Sequence, residues 1–367
     1  MEQYVEAVVK EVCGIEVERR SEQEKISPSN FEGVPEGRGS LYKINTIYFG
    51  GGTPTLLPIH SLQKIINTFH KTFDVATEVE CTIEGNPEQC TLEYLKNLKS
   101  LGFNRISIGI QSFNDDILHF LGRTHLGKDA FLAIENAQKA GFENISIDLI
   151  YGIYMRSLQD WESELKTAFQ LPVKHLSAYS LTVEENTLLH KKIAQQKILQ
   201  IDEEQSLQEM KLLIDAAEKA GFEHYEVSNF SLKGYHSKHN SNYWNGTPYF
   251  GFGASAHSFT GTTRSWNISN VEKYMQALEE NEPFFETEYL TSVDQYNEFV
   301  LLGLRTNGID LKHLEARFGI EKRDELLKAL QKIGSQFYKH EAHRIFITKE
   351  GLPLLDFITG RLFLKNC

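Results

Sequence analysis

INTIYFGGGTPT (residues 44–55) joins a short apolar run to a turn of three consecutive glycines, and this stretch decides the expected fold. The apolar run predicts a buried strand, because it is short, rich in Ile and bounded by glycine. Residues 59–73 follow with Leu, Ile and Phe at helical spacing and predict a helix. A buried strand followed by a helix is the repeating unit of a parallel α/β sheet.

The alternation of strand and helix continues along the chain. Further strands are predicted at VECTIEGN (79–86), NRISIGIQS (104–112), ENISIDLIYG (143–152), VKHLSAYSL (173–181) and HYEVSN (224–229). Gly102, Gly141 and Gly221 each precede Phe and a strand, which suits the left-handed residue that closes a helix. Parallel strands with helices outside favour a barrel or a doubly wound sheet, whose ligands bind beyond the carboxyl ends of the strands.

Polar residues stand at or just after these strand ends, namely Gly50–Thr55, Glu84, Gln111, Asp148 and Asn229. Consecutive glycines let backbone N–H groups approach an anion or a carboxylate closely. A carboxylate such as Glu84 can accept hydrogen bonds from an ammonium or a ribose hydroxyl. Arg123, in FLGRTH, can clamp a carboxylate in bidentate fashion. Structural turns, helix caps and buried Asp–Arg pairs are the alternative interpretations of these residues.

HNSNYW (239–244) is the most unusual segment, within a long stretch rich in glycine and aromatic residues. A histidine such as His239 can ligate a metal or haem iron through a ring nitrogen. Tyr243 and Trp244 offer flat apolar faces that suit a porphyrin. His236 and His257 are competing ligands, and a turn with packed aromatic rings is the alternative interpretation.

Charge and composition narrow the class of protein. The formal net charge is −12 and no Lys/Arg cluster forms a basic face, so nucleic acid is not expected as a partner. No apolar run reaches the length of a membrane span, and MEQYVEAVVKEV lacks the pattern of a signal peptide, so the expected compartment is the cytoplasm. The four cysteines, Cys13, Cys81, Cys90 and Cys367, lack C-x-x-C spacing and suit unrelated thiols in a reducing compartment.

The sequence pattern changes towards the carboxyl terminus. Residues 21–41 are polar and predict a solvated loop, whereas the segments after about residue 290 predict helices and a short hairpin at HRIFITKEG. We therefore expect a barrel domain over residues 1–285 and a small, mainly helical, winged-helix-like module over 286–367. Because the chain is acidic, this module is expected to pack or to bind a protein partner, and not DNA.

Taken together, the segments GGGTPT, EGNPE, RISIGIQSF, LGRTH, IDLIYG, HYEVSNF and HNSNYW resemble, in order, HemW-type haem chaperones. This family is related to the oxygen-independent coproporphyrinogen III oxidases and is of the radical S-adenosylmethionine (SAM) type. The resemblance implies an α/β fold, a partial (βα) barrel. It implies contacts with S-adenosylmethionine at Gly51, Gly52, Thr53, Glu84, Gln111, Arg123 and Asp148. It also implies haem binding at His239, Asn240, Tyr243 and Trp244, with His239 as the iron ligand and no catalytic residue assigned.

Two departures from the family pattern matter. Family members carry a C-x-x-x-C-x-x-C loop that holds a [4Fe–4S] cluster, and none of the four cysteines here has that spacing. Without the cluster, the chain as written is not expected to cleave S-adenosylmethionine. A start assigned too far downstream is the favoured explanation over a truncated paralogue, because losing the first strand would leave INTIYFG as an unpaired edge. The second departure is GIYM (152–155), where the family has Gly-Leu-Pro.

Three functional hypotheses follow from the resemblance. The first is a chaperone that passes haem to a cytoplasmic or membrane-associated acceptor protein. The second is an enzyme that decarboxylates coproporphyrinogen III in porphyrin biosynthesis, against which the missing cluster and the HNxxYW motif both count. The third is a degenerate, cluster-free binding barrel with no specific affinity for haem.

Overall fold

A computed structural model describes residues 1–23, 43–185, 187–195, 198 and 202–365. The chain divides into two compact units. The barrel unit comprises Tyr48–Leu56 and Cys81–Ser237, and the terminal unit comprises Met1–Ile47, Leu57–Glu80 and Lys238–Cys367. The expected domain boundary at residues 285 and 286 stays a prediction.

Seven of the described strands form one mixed sheet in the order β1-β2-β3-β4-β5-β7-β6. These strands are β1 (Lys43–Phe49), β2 (Asp74–Gly85), β3 (Arg105–Gln111), β4 (Asn144–Tyr151), β5 (His175–Ser180), β6 (Glu223–Glu226) and β7 (Asn229–Ser231). Strands β2 to β5 pair in parallel, as the strand–helix alternation predicts. The helices of the barrel unit are α3 (Leu92–Ser100), α4 (Asp115–Phe120), α5 (Gly127–Lys139), α6 (Leu158–Gln170), α7 (Leu188–Ala194) and α8 (Glu203–Lys219).

The prediction of a single strand over residues 224–229 is wrong. The chain reverses there, so that β6 and β7 form an antiparallel hairpin and β7 also pairs antiparallel with β5. The carboxylate of Glu226 closes the turn by accepting hydrogen bonds from the Ser228 N–H at 3.2 Å and from the Asn229 amide. A turn closed by a side chain and lacking Gly and Pro leaves little trace in the hydrophobic pattern.

The two faces of the sheet differ in chemistry. On β3, Ile106, Ile108 and Ile110 are fully buried on the face against which α5 packs. Arg105 and Ser107 alternate with them and lie on the opposite face, because successive side chains of a strand point to opposite sides. The same alternation continues through β4 and β5, so the helix-covered face is apolar and the inner face is polar.

The three helix-closing glycines are confirmed. Gly102, Gly141 and Gly221 have φ angles of 97°, 90° and 80°. The Phe that follows each glycine is buried, and its N–H donates to a carbonyl five residues earlier in the preceding helix. This is the Schellman arrangement, which satisfies carbonyls at the helix end and leads the chain directly into the next strand.

The terminal unit is built mainly of helices. They are α1 (Glu2–Gln23), α2 (Ile59–Thr72), α9 (Lys238–Trp244), α10 (Val271–Glu280), α11 (Ser292–Leu304), α12 (Leu311–Phe318), α13 (Ile320–Leu330) and α14 (Leu355–Leu362). Two three-stranded antiparallel sheets join them, in the orders β10-β9-β8 and β11-β13-β12. Their strands are β8 (His257–Phe259), β9 (Thr263–Asn267), β10 (Phe285–Tyr289), β11 (Ile309–Asp310), β12 (Tyr338–Glu341) and β13 (Arg344–Ile347).

A buried glutamate ties α1 into the terminal unit. Glu11 accepts hydrogen bonds from the Gly253 N–H at 2.8 Å, the Asn267 amide at 2.6 Å and the Tyr274 hydroxyl at 2.5 Å. Burial raises the pKa of Glu11, and these hydrogen bonds oppose the rise. The glutamate thereby joins α1 to both β9 and α10.

Two further predictions concern segments of this unit. Helices α11–α14 with the small sheet β11-β13-β12 match the predicted mainly helical, winged-helix-like module. Of the predicted loop over 21–41, residues 21–23 end α1 and the others lie outside the described residues. Within the described part of the chain, no helix combines the length and the apolar character needed to cross a membrane.

Candidate functional site

The glycine turn after β1 lies beside a glutamate at the end of the neighbouring strand, in the barrel unit. Glu84, at the end of β2, accepts a hydrogen bond from the Tyr48 hydroxyl at 2.8 Å and another from the Gly51 N–H. Gly51 has a φ of 101°, and a Cβ placed on Gly51 or Gly52 would meet no atom within 4 Å. The turn therefore leaves open space beside a half-buried carboxylate, as a cradle for a ligand requires.

Thr53 follows the glycines in the same turn. Its hydroxyl oxygen accepts a weak hydrogen bond from the Asn86 amide at 3.4 Å. Asn86 directly follows β2, so the contact connects the glycine turn with the carboxyl end of the neighbouring strand.

Two carboxyl groups share the polar face of the sheet. Asp148, on β4, accepts hydrogen bonds from the Ser107 hydroxyl at 3.1 Å and from Ser177. Burial, and then the negative charge of Glu84, raise the pKa of Asp148 to about 6, while the Arg105 charge opposes the rise. Burial also raises the pKa of Glu84. The site thus holds two carboxyl groups in a poorly hydrated environment, which favours a ligand that donates hydrogen bonds or carries positive charge.

Gln111 ends β3 in a strained conformation. Its φ is 70°, which non-glycine residues rarely adopt, and the pairing between β3 and β4 is irregular at this point. The side chain turns back over Gly109, where a Cβ would lie 2.9 Å from the Gln111 amide nitrogen. Strain of this kind is typical of functional sites, because it costs free energy and is retained only where the geometry is useful.

Arg123 lies in the loop after α4 and is half-buried. Its neighbours fix the loop: Thr124 donates to Glu88 at 2.8 Å, and the buried His125 bonds the Ile110 carbonyl at 3.0 Å. Among the described residues, none bonds the Arg123 guanidinium. The structure does not join Arg123 to Glu84 or to Asp148 by a hydrogen bond.

The HNSNYW segment is helical, so in the alternative interpretation, a turn with packed aromatic rings, only the turn is wrong. Residues 238–244 form helix α9 in the terminal unit. His239 and Tyr243 share one side of this helix and Asn240 and Trp244 another, because residues four apart lie one above the other. The His239 ring bonds the Thr46 hydroxyl through Nδ1 and the Tyr243 hydroxyl through Nε2, each at 3.0 Å.

A carboxylate from outside the helix fixes the start of α9. Glu80, on β2, accepts hydrogen bonds from the Lys238 N–H and the His239 N–H, each at 3.0 Å. Glu80 is only 6% exposed, so the short helix is anchored to a buried group.

Aromatic rings surround this segment. Tyr243 contacts Tyr249 edge-to-face with ring centroids 4.6 Å apart, and Tyr249 lies near Phe259. The predicted competitors of His239 are engaged differently. His236 pairs with Glu223 at 2.9 Å, and His257 lies on β8 with its ring 6.3 Å from that of Trp266.

The thiols of the described residues do not fit an iron–sulfur cluster. Cys81 and Cys90 are buried, and burial raises the pKa of both thiols to about 12, whereas cluster ligands are thiolates. Cys13 is exposed on α1. No group of three or more metal-binding side chains is found over the described ranges.

The groups that hold these sites in place were not predicted from the sequence. Tyr48 donates a hydrogen bond to Glu84, and the charge of Arg105 acts on the same carboxylate. His239 is held by Thr46 at its ring and by Glu80 at its backbone N–H. The sequence signal available for them was the period of two along each strand. Polar residues that alternate with apolar ones point to the polar face. Partners from distant parts of the chain could not be assigned without the strand register.

Comparison with known proteins defines the class. The profile of the radical SAM superfamily matches residues 18–168, and the profile of the HemN C-terminal domain matches residues 290–354. The structure of coproporphyrinogen III oxidase (HemN) from Escherichia coli, described as a radical SAM enzyme, matches with a TM-score of 0.78 and 22% identity. That match covers 99% of this chain and 83% of the other. The fold is thus the predicted partial barrel of radical SAM type.

Curated relatives narrow the class to a family. The heme chaperone HemW of Bacillus subtilis strain 168 is 34% identical over 343 residues, which cover 92% of this chain and 89% of the relative. The heme chaperone HemW of Lactococcus lactis subsp. lactis is 32% identical over 330 residues, covering 89% and 86%. The chain belongs to the HemW family.

Proposed function

We propose that this chain binds haem at helix α9 and passes it to an acceptor protein in the cytoplasm. The observation that carries the proposal is the His239 side chain, half-buried and oriented at both ring nitrogens, on a helix that also presents Asn240, Tyr243 and Trp244. An imidazole in this setting suits haem iron, and the aromatic rings suit the porphyrin face. The name of the HemW relatives supports the same cargo.

Haem titration followed by absorption spectroscopy tests this proposal. His239→Ala is expected to weaken binding and to shift or reduce the Soret band. His236→Ala and His257→Ala are matched controls, because both remove a nearby imidazole, and both are expected to behave as wild type. If all three variants bind as wild type does, haem binding at α9 is refuted. If the wild type itself shows no specific binding, the chain is better described as a binding barrel without haem function.

We further propose that the barrel unit binds S-adenosylmethionine. Gly51, Gly52 and Thr53 would receive its methionyl end, Glu84 its amine or ribose, and Gln111, Arg123 and Asp148 its remaining polar groups. Open space at the glycines and the strained Gln111 support this fit. In this proposal S-adenosylmethionine is a bound ligand, because the described thiols do not fit the cluster that would cleave it.

Isothermal titration with S-adenosylmethionine tests the second proposal. Glu84→Gln keeps the size of the side chain and removes its charge, so it is expected to weaken binding about tenfold, the effect of one charge-assisted hydrogen bond. Glu143→Gln, on the exposed loop before β4, is the matched control. Equal affinity of wild type and Glu84→Gln would exclude the assigned role of Glu84. Formation of a vinyl product from coproporphyrinogen III would instead support the enzymatic alternative.

A further inference from the structure

The two hydrogen bonds of the His239 ring come from partners that are held very differently. Thr46 lies on β1, and its hydroxyl is 3.0 Å from Nδ1. Tyr243 lies one turn later on α9, and its hydroxyl is 3.0 Å from Nε2. A neutral imidazole has one N–H and one lone pair, so one partner must accept a hydrogen bond and the other must donate one.

The chemistry of the partners decides the direction. The Thr46 oxygen accepts a hydrogen bond from the Asn242 amide at 3.5 Å and keeps a second lone pair, so it can also accept one from Nδ1–H. A phenol such as that of Tyr243 is a better donor than an aliphatic hydroxyl. The consistent arrangement is therefore Nδ1–H donating to Thr46, with the Nε2 lone pair accepting from the Tyr243 hydroxyl.

We infer that Nε2 of His239 is the nitrogen that binds haem iron, that Thr46 positions the ring, and that the Tyr243 hydroxyl is a displaceable cover over the ligand atom. This inference rests on the proposed haem site and adds the roles of Thr46 and Tyr243 to it. A metal-binding histidine typically donates its other N–H to a fixed acceptor, which sets the tautomer and the ring orientation.

The backbone of His239 is held in place, whereas the side chain of Tyr243 can move. Glu80 holds the backbone N–H groups at the start of α9, so the Cα position of His239 is fixed by a buried group. The Tyr243 ring contacts Tyr249 edge-to-face, and Tyr243 is 43% exposed. Because so much of the side chain faces solvent, its rotation can uncover Nε2 without opening the core. In the haem-free chain the cover satisfies Nε2, and haem must displace it.

Two near-isosteric variants test the two roles. Tyr243→Phe keeps the ring and removes the hydroxyl, so haem no longer competes with a hydrogen bond, and affinity is expected to rise about two- to tenfold. Thr46→Val removes the acceptor of Nδ1–H, so affinity is expected to fall by a similar factor, with a changed iron–histidine stretching band in resonance Raman spectra. Affinities are measured by haem titration of the full chain, with His239→Ala in parallel.

A measurement on the haem-free chain distinguishes failure of this inference from failure of the proposed function. Long-range ¹H–¹⁵N spectra of the histidine rings report the tautomer, and His239 is expected to carry its proton on Nδ1. A proton on Nε2 overturns the inference. So does a loss of affinity in Tyr243→Phe, which would make Tyr243 a ligand, or an unchanged Raman band in Thr46→Val. If haem binding stays intact in His239→Ala, the proposed function fails. The tautomer of His239 in the haem-free chain then still tests how Thr46 and Tyr243 orient the ring.

Discussion

Arg156 is the charged centre of a buried network beneath the strand ends of the barrel unit. Its guanidinium pairs with Glu164 at 2.8 Å and with Glu209 at 2.7 Å, and donates to the Ile150 carbonyl at 3.0 Å. It also lies 4.1 Å from the ring centre of Trp161. The Arg156 and Glu209 side chains are 0% exposed. Replacing Arg156 with Met keeps the length of the side chain and leaves two buried carboxylates without their cation.

The expected cost of Arg156→Met is large. Removing one partner of a buried ion pair costs about 3–5 kcal/mol, because the remaining charge is buried without compensation. The lost contact with the tryptophan ring adds about 1–2 kcal/mol. We therefore expect a loss of about 5 kcal/mol, a large part of the roughly 5–15 kcal/mol by which a domain is stable.

Urea unfolding monitored by tryptophan fluorescence measures this cost. Trp161 is fully buried and its indole N–H donates to the Glu209 carbonyl at 2.9 Å, so its share of the emission of the three tryptophans reports on the network. Lys139→Met is the matched control in the same unit, because it breaks an exposed pair with Glu135 and should cost at most about 0.5 kcal/mol. A loss below about 1 kcal/mol in Arg156→Met would refute the argument that the network holds this end of the sheet.

Three further predictions concern the candidate S-adenosylmethionine site and the thiols. The pKa of Asp148 is about 6, above its ordinary value of 3.8, so this carboxyl destabilises the fold as the pH rises through that range. Asp148→Asn should therefore raise the stability in urea by about 3 kcal/mol at pH 8 and far less at pH 4. Gln111→Gly should relieve the strain of a φ of 70° and stabilise the chain by about 1 kcal/mol, while calorimetry shows weaker binding of S-adenosylmethionine. Iodoacetamide at pH 8 should label Cys13 and spare Cys81 and Cys90, as peptide mass spectrometry would detect, because burial keeps the pKa of both at about 12. Equal labelling of all three would contradict the buried positions.

The sequence pattern was sufficient for the parallel part of the sheet. Apolar runs and closing glycines marked β1 to β5 and the helices between them, since both signals are local. The pattern failed where a reversal depended on one side chain, as at Glu226. It also did not predict the small sheet β10-β9-β8, whose strands are three to five residues long and lack a clear apolar alternation.

At the candidate sites, the residues at the ends of strands could be predicted from the sequence, but the side chains that support them could not. Glu84 and His239 could be identified because they lie in recognisable motifs, EGNPE and HNSNYW. Tyr48, Thr46 and Glu80 could not, because each is an ordinary polar residue until the fold places it against its partner. These hydrogen bonds join residues far apart in the chain, and the pattern of one strand does not show which distant segment becomes its neighbour.

The two faces of the sheet formed by β3, β4 and β5 contribute unequally to the stability of the barrel unit. Its outer face, with the buried isoleucines of β3, packs against helices and provides the driving force for folding, whereas Arg105, Asp148 and their neighbours on the inner face contribute little of it. A ligand that fills this face adds a second packed layer present only while the ligand is bound. The melting temperature of the chain should then rise with ligand concentration, so that stability becomes a gauge of occupancy.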